Sequence, residues 1–313
     1  MTKYLIVKNI KISLDKTSKL NFEEKFGNGK GFVIIWAIKL SHKKLMEFLN
    51  YTFIKNALIA ILLASPIFAI IGTMIVNNKM AFFSDALGHS ALTGIAIGML
   101  LGISNANISI VIFAIVFALI LNYVKNKTSY GTDTIISVFS SIAMAIGLAL
   151  LGRMGEFNKY SNYLVGDLLS ISKQELVYLA IAFVLVIIFW IFTFNKINAI
   201  SVNKMLAKSK GINVTLVDNL FSVVTAIIVM ISIRWIGILL INSMVILPAA
   251  SSRNISKDMR EYHTNAIIIA LVSGVLGLII SYYLNVPTGP MIVIILGIVY
   301  LFTFLLRKML KLT

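Results

Sequence analysis

The chain contains no cysteine, which excludes disulfides and thiolate metal sites. It is poor in charge: only 13% of its 313 residues are Asp, Glu, Lys or Arg. It has three histidines and four prolines. No nucleotide-binding G-x-x-x-x-G-K-[ST] loop occurs, since Gly27-Asn28-Gly29-Lys30-Gly31 lacks the spacing. His-Glu-x-x-His and Gly-x-Ser-x-Gly are also absent. These absences argue against an ATPase, a zinc protease and a serine hydrolase.

What remains is oil. Apolar residues make up 59% of the chain and the mean hydropathy is +0.94, against about 45–50% apolar in soluble domains. The reading is an all-α, polytopic membrane protein. Apolar segments at 53–76, 84–104, 106–124, 131–152, 174–194, 214–233, 235–252, 264–284 and 290–307 predict eight to nine crossings, since a crossing takes about 20 residues. The formal charge of +16 sits in connections and at the N-terminus, where it marks topology and lipid headgroups rather than nucleic acid.

Residues 1–45 differ from the rest. They are Lys-rich, with one apolar run at 32–38 that is too short to span and long enough to lie at an interface. Loops after alternate spans, with the C-terminal tail, hold thirteen Lys and Arg against four in the others, which places the first set in the cytoplasm. With nine spans the first begins outside, and the ten lysines before Met46 conflict with that. Either 1–45 is an extension outside the working fold, with Met46 as the effective start, or one segment is re-entrant. The first resolution is preferred, giving domains of 1–45 and 46–313.

The densest chemistry lies in Asp85-Ala86-Leu87-Gly88-His89. Residues four apart share a helix face, so one carboxylate and one imidazole can meet a Zn²⁺ or Mn²⁺ ion. Ionisable groups at membrane depth default to function. The alternative is that Ser84 or Asp85 merely caps the helix. His263 is assigned to a charged loop, leaving His89 as the imidazole at depth. Gly94, Gly98 and Gly102 form a small-xxx-small stripe for close helix packing.

Three further segments stand out. In Ser201–Asn213, Met205, Leu206 and Ala207 suit a short amphipathic helix with Gly211 as its left-handed stop and Ile212 beyond. In Asn242-Ser243-Met244-Val245-Ile246-Leu247-Pro248, the proline frees a backbone carbonyl inside a span, so Asn242, Ser243 and Pro248 are read as lining or kinking a path. Asp167, ahead of a Ser172-x-x-Glu175 capping box, is placed at the outer mouth.

The chain resembles the permease subunits of bacterial ABC importers for zinc and manganese over about 46–308. The resemblance rests on Met80-Ala81-Phe82-Phe83-Ser84-Asp85-Ala86-Leu87-Gly88-His89, Tyr163-Leu164-Val165-Gly166-Asp167-Leu168-Leu169, Ala207-x-x-x-Gly211-Ile212, and Leu239-Leu240-Ile241-Asn242-Ser243-Met244-Val245-Ile246-Leu247-Pro248-Ala249-Ala250. It implies several things. Asp85 and His89 would lie on the metal path. Ala207 to Ile212 would be the loop that couples to a cytoplasmic ATP-binding subunit. A second permease copy, an extracytoplasmic metal-binding protein and a place in the bacterial cytoplasmic membrane would follow. No bound cofactor is expected; the metal is cargo, and ATP acts on the partner. Asn203 and Lys204 depart from the acid that usually precedes the coupling alanine. The rival readings are a proton-coupled secondary metal carrier and an ABC permease for iron chelates or cobalamin.

Overall fold

The computed structural model describes residues 4–7, 10–13, 51–103, 105–160, 166 and 168–309. Its contacts fall into two units, Met1–Lys55 and Asn56–Thr313. In the first, β1 (Tyr4–Val7) and β2 (Ile10–Ser13) pair antiparallel, with Tyr4 opposite Ser13. The apolar run at 32–38 and Met46 lie outside the described residues.

Among the described residues the second unit is all-α. Its helices are α1 (Thr52–Asn77), α2 (Phe83–Leu100), α3 (Ala106–Lys127), α4 (Thr132–Met154), the short α5 (Phe157–Tyr160), α6 (Lys173–Val202), the short α7 (Lys204–Ser209), α8 (Val214–Ile236), α9 (Ile238–Ile255), α10 (Met259–Leu284) and α11 (Thr288–Met309). The nine long helices match the nine apolar segments. Eight of them, all but α2, are long and apolar enough to cross a membrane among the described residues.

Local chemistry sets the boundaries. Asn105 caps α3 by accepting from Asn107 N at 3.0 Å, and Asp258 caps α10 by accepting from Glu261 N at 2.8 Å. The Ser172–Glu175 capping box opens α6 as the sequence proposed. Such oxygens satisfy the free N–H groups of a first turn.

Helix α2 is the most enclosed element. It packs chiefly on α4 and α3, and also touches α8 and α9, with most of its residues buried. A Cβ at Gly98 would collide with the Ser109 side chain, so glycine lets α2 and α3 close up. The stripe ends there. Gly102, expected to continue it, lies past the end of α2 with φ +75° and no neighbour at its Cβ position. By contrast, α6 leaves large apolar residues such as Leu185 and Phe192 exposed, as a lipid-facing helix does.

Contacts between helix ends separate into two sets. Lys125 and Lys204 meet Asp218, and Asn77 meets Arg253. At the other ends, Asn56 donates to Ile171 O at 3.2 Å and Arg234 pairs with Glu175 at 3.8 Å. Each set joins loops that the Lys/Arg count puts on one side.

One expectation is corrected. His263 is not in a loop. Because Asp258 starts α10 early, His263 falls in its second turn, 4% exposed. It meets Thr73 Oγ1 at 2.6 Å through Nδ1 and packs on Trp190, Phe194 and Tyr262. His89 is therefore not the sole imidazole at depth, but His263 is sealed by aromatics and Thr73.

Candidate functional site

Asp85 lies in the first turn of α2 and His89 one turn on. The capping alternative is not what the structure shows: the N-cap of α2 is Phe82, with no side-chain capping bond. Asp85 instead turns toward its neighbours. Its Oδ1 is 3.5 Å from His89 Nε2 and accepts a hydrogen bond from Asn242 Nδ2 on α9. The structure thus brings together Asp85, His89 and Asn242, which the sequence places 157 residues apart at the extremes.

The three side chains form a half-open polar cluster. The Asp85 carboxyl is 44% and the His89 ring 34% exposed, so an ion can reach both. Two acceptor-capable atoms are buried without a hydrogen-bond partner, His89 Nδ1 and Asn242 Oδ1. A buried polar atom left unpaired is costly, and such atoms mark places where a ligand or a rearrangement supplies the partner. A carboxylate, an imidazole and an amide oxygen are donors that both zinc and manganese accept. No group of three or more His, Cys, Asp or Glu occurs among the described residues, so one chain offers an incomplete shell. A cavity of about 1120 Å³ lies elsewhere, between α3, α6 and α8, and is mostly apolar, with Ile108, Tyr178, Leu185 and Trp235 in its walls.

The rest of α9 shapes the approach. Ser243 Oγ bonds back to Leu239 O at 2.8 Å rather than to the cluster. Pro248 is buried inside α9, where it removes the N–H that Met244 O would accept. About 16 Å of helix, at 1.5 Å per residue, separates Asn242 from Arg253 at the other end of α9. Asp167 and most of the Tyr163–Leu169 motif lie outside the described residues.

The segment before α8 folds as its sequence suggested. Asn203 Oδ1 accepts from Met205 N at 2.9 Å and Leu206 N at 3.1 Å, opening α7. Gly211, at φ +78°, closes it. Ile212 N bonds Ala207 O at 3.1 Å and Gly211 N bonds Lys208 O at 3.0 Å, the double bond of a Schellman stop. Ala207 faces inward at 1% exposure, while Met205 and Leu206 stand out at 84% and 54%.

Sequence reasoning missed one cluster. Asp218 on α8, only 11% exposed in its side chain, lies 3.5 Å from both Lys125 on α3 and Lys204 on α7. The signal was present: an acid within an apolar span is rare and needs a partner.

Comparison with known proteins decides the family. The family model described as the ABC 3 transport family matches residues 50–307. The chain belongs to this family. Among relatives, the high-affinity zinc uptake system membrane protein ZnuB of Haemophilus influenzae is 30% identical over 253 residues, covering 80% of this chain and 97% of its own. The manganese import system permease protein ScaB of Streptococcus parasanguinis is 26% identical, covering 82% and 91%. Among solved structures, PsaBC from Streptococcus pneumoniae in complex with Fab superposes with a TM-score of 0.72 at 25% identity, covering 83% of this chain and 95% of that one. The match to this family and the apolar helices make the chain a multi-pass membrane protein of the ABC permease type.

Proposed function

We propose that this chain is the membrane permease of an ATP-driven importer of a divalent transition metal, zinc or manganese. The carrying observation is the meeting of Asp85, His89 and Asn242 on two different helices. Support comes from the relatives named for zinc uptake and manganese import. The ion arrives from an extracytoplasmic binding protein and rests at the Asp85–His89 pair. Asn242 orients the carboxylate. Water or a second permease copy completes the shell. An open, few-ligand site holds the ion weakly enough to release it.

ATP chemistry belongs to a separate cytoplasmic subunit. It docks on α7, where exposed Met205 and Leu206 offer an apolar anchor held rigid by the Asn203 cap and the Gly211 stop. When that subunit closes on ATP, helix packing shifts as rigid bodies and the path changes its open side. Nothing in this reading places hydrolysis in this chain.

The test is ATP-driven metal uptake into proteoliposomes holding the permease and its ATPase subunit, with the metal-binding protein supplied. Asp85→Ala and His89→Ala should each abolish uptake of ⁶⁵Zn²⁺ and ⁵⁴Mn²⁺ while the ATPase subunit still co-purifies. Full uptake in both variants would remove the site assignment. Uptake by the permease alone under a pH gradient would establish the secondary-carrier rival instead.

A further inference from the structure

The Asp218 cluster has no part in the metal site, yet it is built with care. Asp218 Oδ2 lies 3.5 Å from Lys125 Nζ and 3.5 Å from Lys204 Nζ. Lys125 and Asp218 are each only 11% exposed in their side chains, while Lys204 is 56% exposed. Buried charges are kept only when paired. The Asp218–Lys125 pair already balances, so Lys204 is a second cation on the same carboxylate oxygen. Lys204 is also the first residue of α7, where the helix dipole disfavours a positive charge. Nothing within α7 holds it there; the partner is across the gap, on α8.

The other contacts stiffen the same spot. Asn122, 1% exposed and one turn before Lys125, donates through Nδ2 to Asp218 O and to Asn219 Oδ1, both at 3.1 Å. Helices α3 and α8 are thereby clamped by a neutral bond and an ionic one on adjacent turns. Lys125 Nζ also lies 3.9 Å from Met80 Sδ. Met80 is buried in the loop leading into α2, five residues before Asp85. A continuous chain of side-chain contacts therefore runs from α7 through Asp218 and Lys125 to the start of the helix that carries Asp85 and His89.

We propose that Asp218 is a positioning residue that fastens α7 to the α3–α8 pair, so that α7, α3, α8 and the loop into α2 move as one lever. Lys204 is the strut of that lever. Without it α7 is joined to the bundle by its two chain connections and the packing of Ala207. Motion of the docked ATPase then bends α7 instead of shifting α2. This inference rests on α7 being the docking segment, and it adds the means by which docking is transmitted. Coupling between sites travels through elements that keep their arrangement while the whole moves.

The experiment is the ratio of metal taken up to ATP hydrolysed. It uses proteoliposomes holding the complete assembly of permease, ATPase and delivery protein. Lys204→Met suits it because the position is half exposed and the Asp218–Lys125 pair stays balanced. The expected result is normal co-purification of the ATPase, ATP hydrolysis retained, and uptake per ATP lowered by about fivefold or more. Lys204→Arg, which keeps a cation within reach, should restore the ratio. Asp218→Asn strands Lys125 beside Lys204 and is expected to lower yield, so the Lys204 pair carries the decision. A Lys204→Met assembly with an unchanged ratio overturns the lever while leaving the docking reading intact. A wild-type permease that fails to bind the ATPase, or binds it equally after Met205 and Leu206 are both changed to Ser, overturns the docking reading itself.

Discussion

Replacing Asn242 with Leu separates an ordered metal site from two residues that merely stand near each other. Leucine has almost the same shape, so the packing of α9 on α2 is preserved. What is lost is the amide that donates to Asp85 Oδ1. In the wild type that bond holds the carboxylate toward His89 before any ion arrives. In the variant the carboxylate samples other rotamers, and the ion must order it on binding. Partners that orient a metal ligand are worth about 10- to 100-fold in affinity. Asp85 is 44% exposed, and solvent competes for its oxygens, so the lower end applies: the Kd for Zn²⁺ should rise about 10-fold. Equilibrium dialysis of ⁶⁵Zn²⁺ against the purified permease–ATPase assembly measures it. Asn242→Asp is the companion variant. It places a second carboxylate against the first, which strengthens cation capture and slows release, so Kd falls and the turnover of uptake falls with it. If Asn242→Leu leaves Kd within twofold of wild type, the amide plays no part and the three-residue site is wrong.

Thr73→Val removes the hydrogen bond between Thr73 Oγ1 and His263 Nδ1 and leaves that buried ring nitrogen unpaired, as Nε2 already is. It should cost about 1–3 kcal/mol of stability, seen as a lower Tm of the purified protein, with Zn²⁺ affinity unchanged. Gly98→Ala drives a methyl into Ser109 and should cost about 1–3 kcal/mol by overpacking; Ser109→Gly in the same chain should recover most of the lost Tm. The cysteine-free sequence makes sidedness measurable without background. Leu101→Cys, between α2 and α3, should react with an impermeant maleimide added outside intact cells and Lys79→Cys should not; equal labelling of both would show that α2 does not cross.

Most of the long helices were legible because they are largely apolar runs bounded by polar or glycine-containing connections, and the membrane enforces that pattern. The α6 start was legible too, because Ser172 and Glu175 at three-residue spacing carry a defined bond pair. The placement of Asp85 beside His89 followed from helix geometry alone. Asn242 was singled out, but its partner was not: nothing local joins α9 to α2, and only tertiary packing shows that the amide reaches Asp85. His263 was misread because nearby charges at Arg253, Lys257, Asp258 and Arg260 suggested a loop. Asp258 ends that loop by capping α10, and five residues later His263 is already inside the bundle. Lys125 was counted only as a topology signal, and Lys204 as that and as a departure from the coupling-loop pattern, since a count of positive charge cannot distinguish a lysine facing water from one turned inward to a carboxylate.

The low hydropathy of α2 follows from its place in the fold. It is the one long helix not apolar enough to count among the candidate crossings, yet it runs antiparallel to α3 from the Gly98–Ser109 approach to the Met80–Lys125 contact. It therefore extends along most of the length of its neighbour. Its apolar residues are fewer because lipid never touches most of its surface: α3, α4, α8 and α9 surround it. Ser84, Ser90 and Thr93 are buried against protein, and Thr93 Oγ1 donates to Ala143 O on α4. A helix shielded in this way is free to carry Asp85 and His89, whereas either residue on the exposed face of α6 would meet hydrocarbon at a cost of several kcal/mol. The polar helix is central because only a central helix can be polar, and a path for an ion needs one.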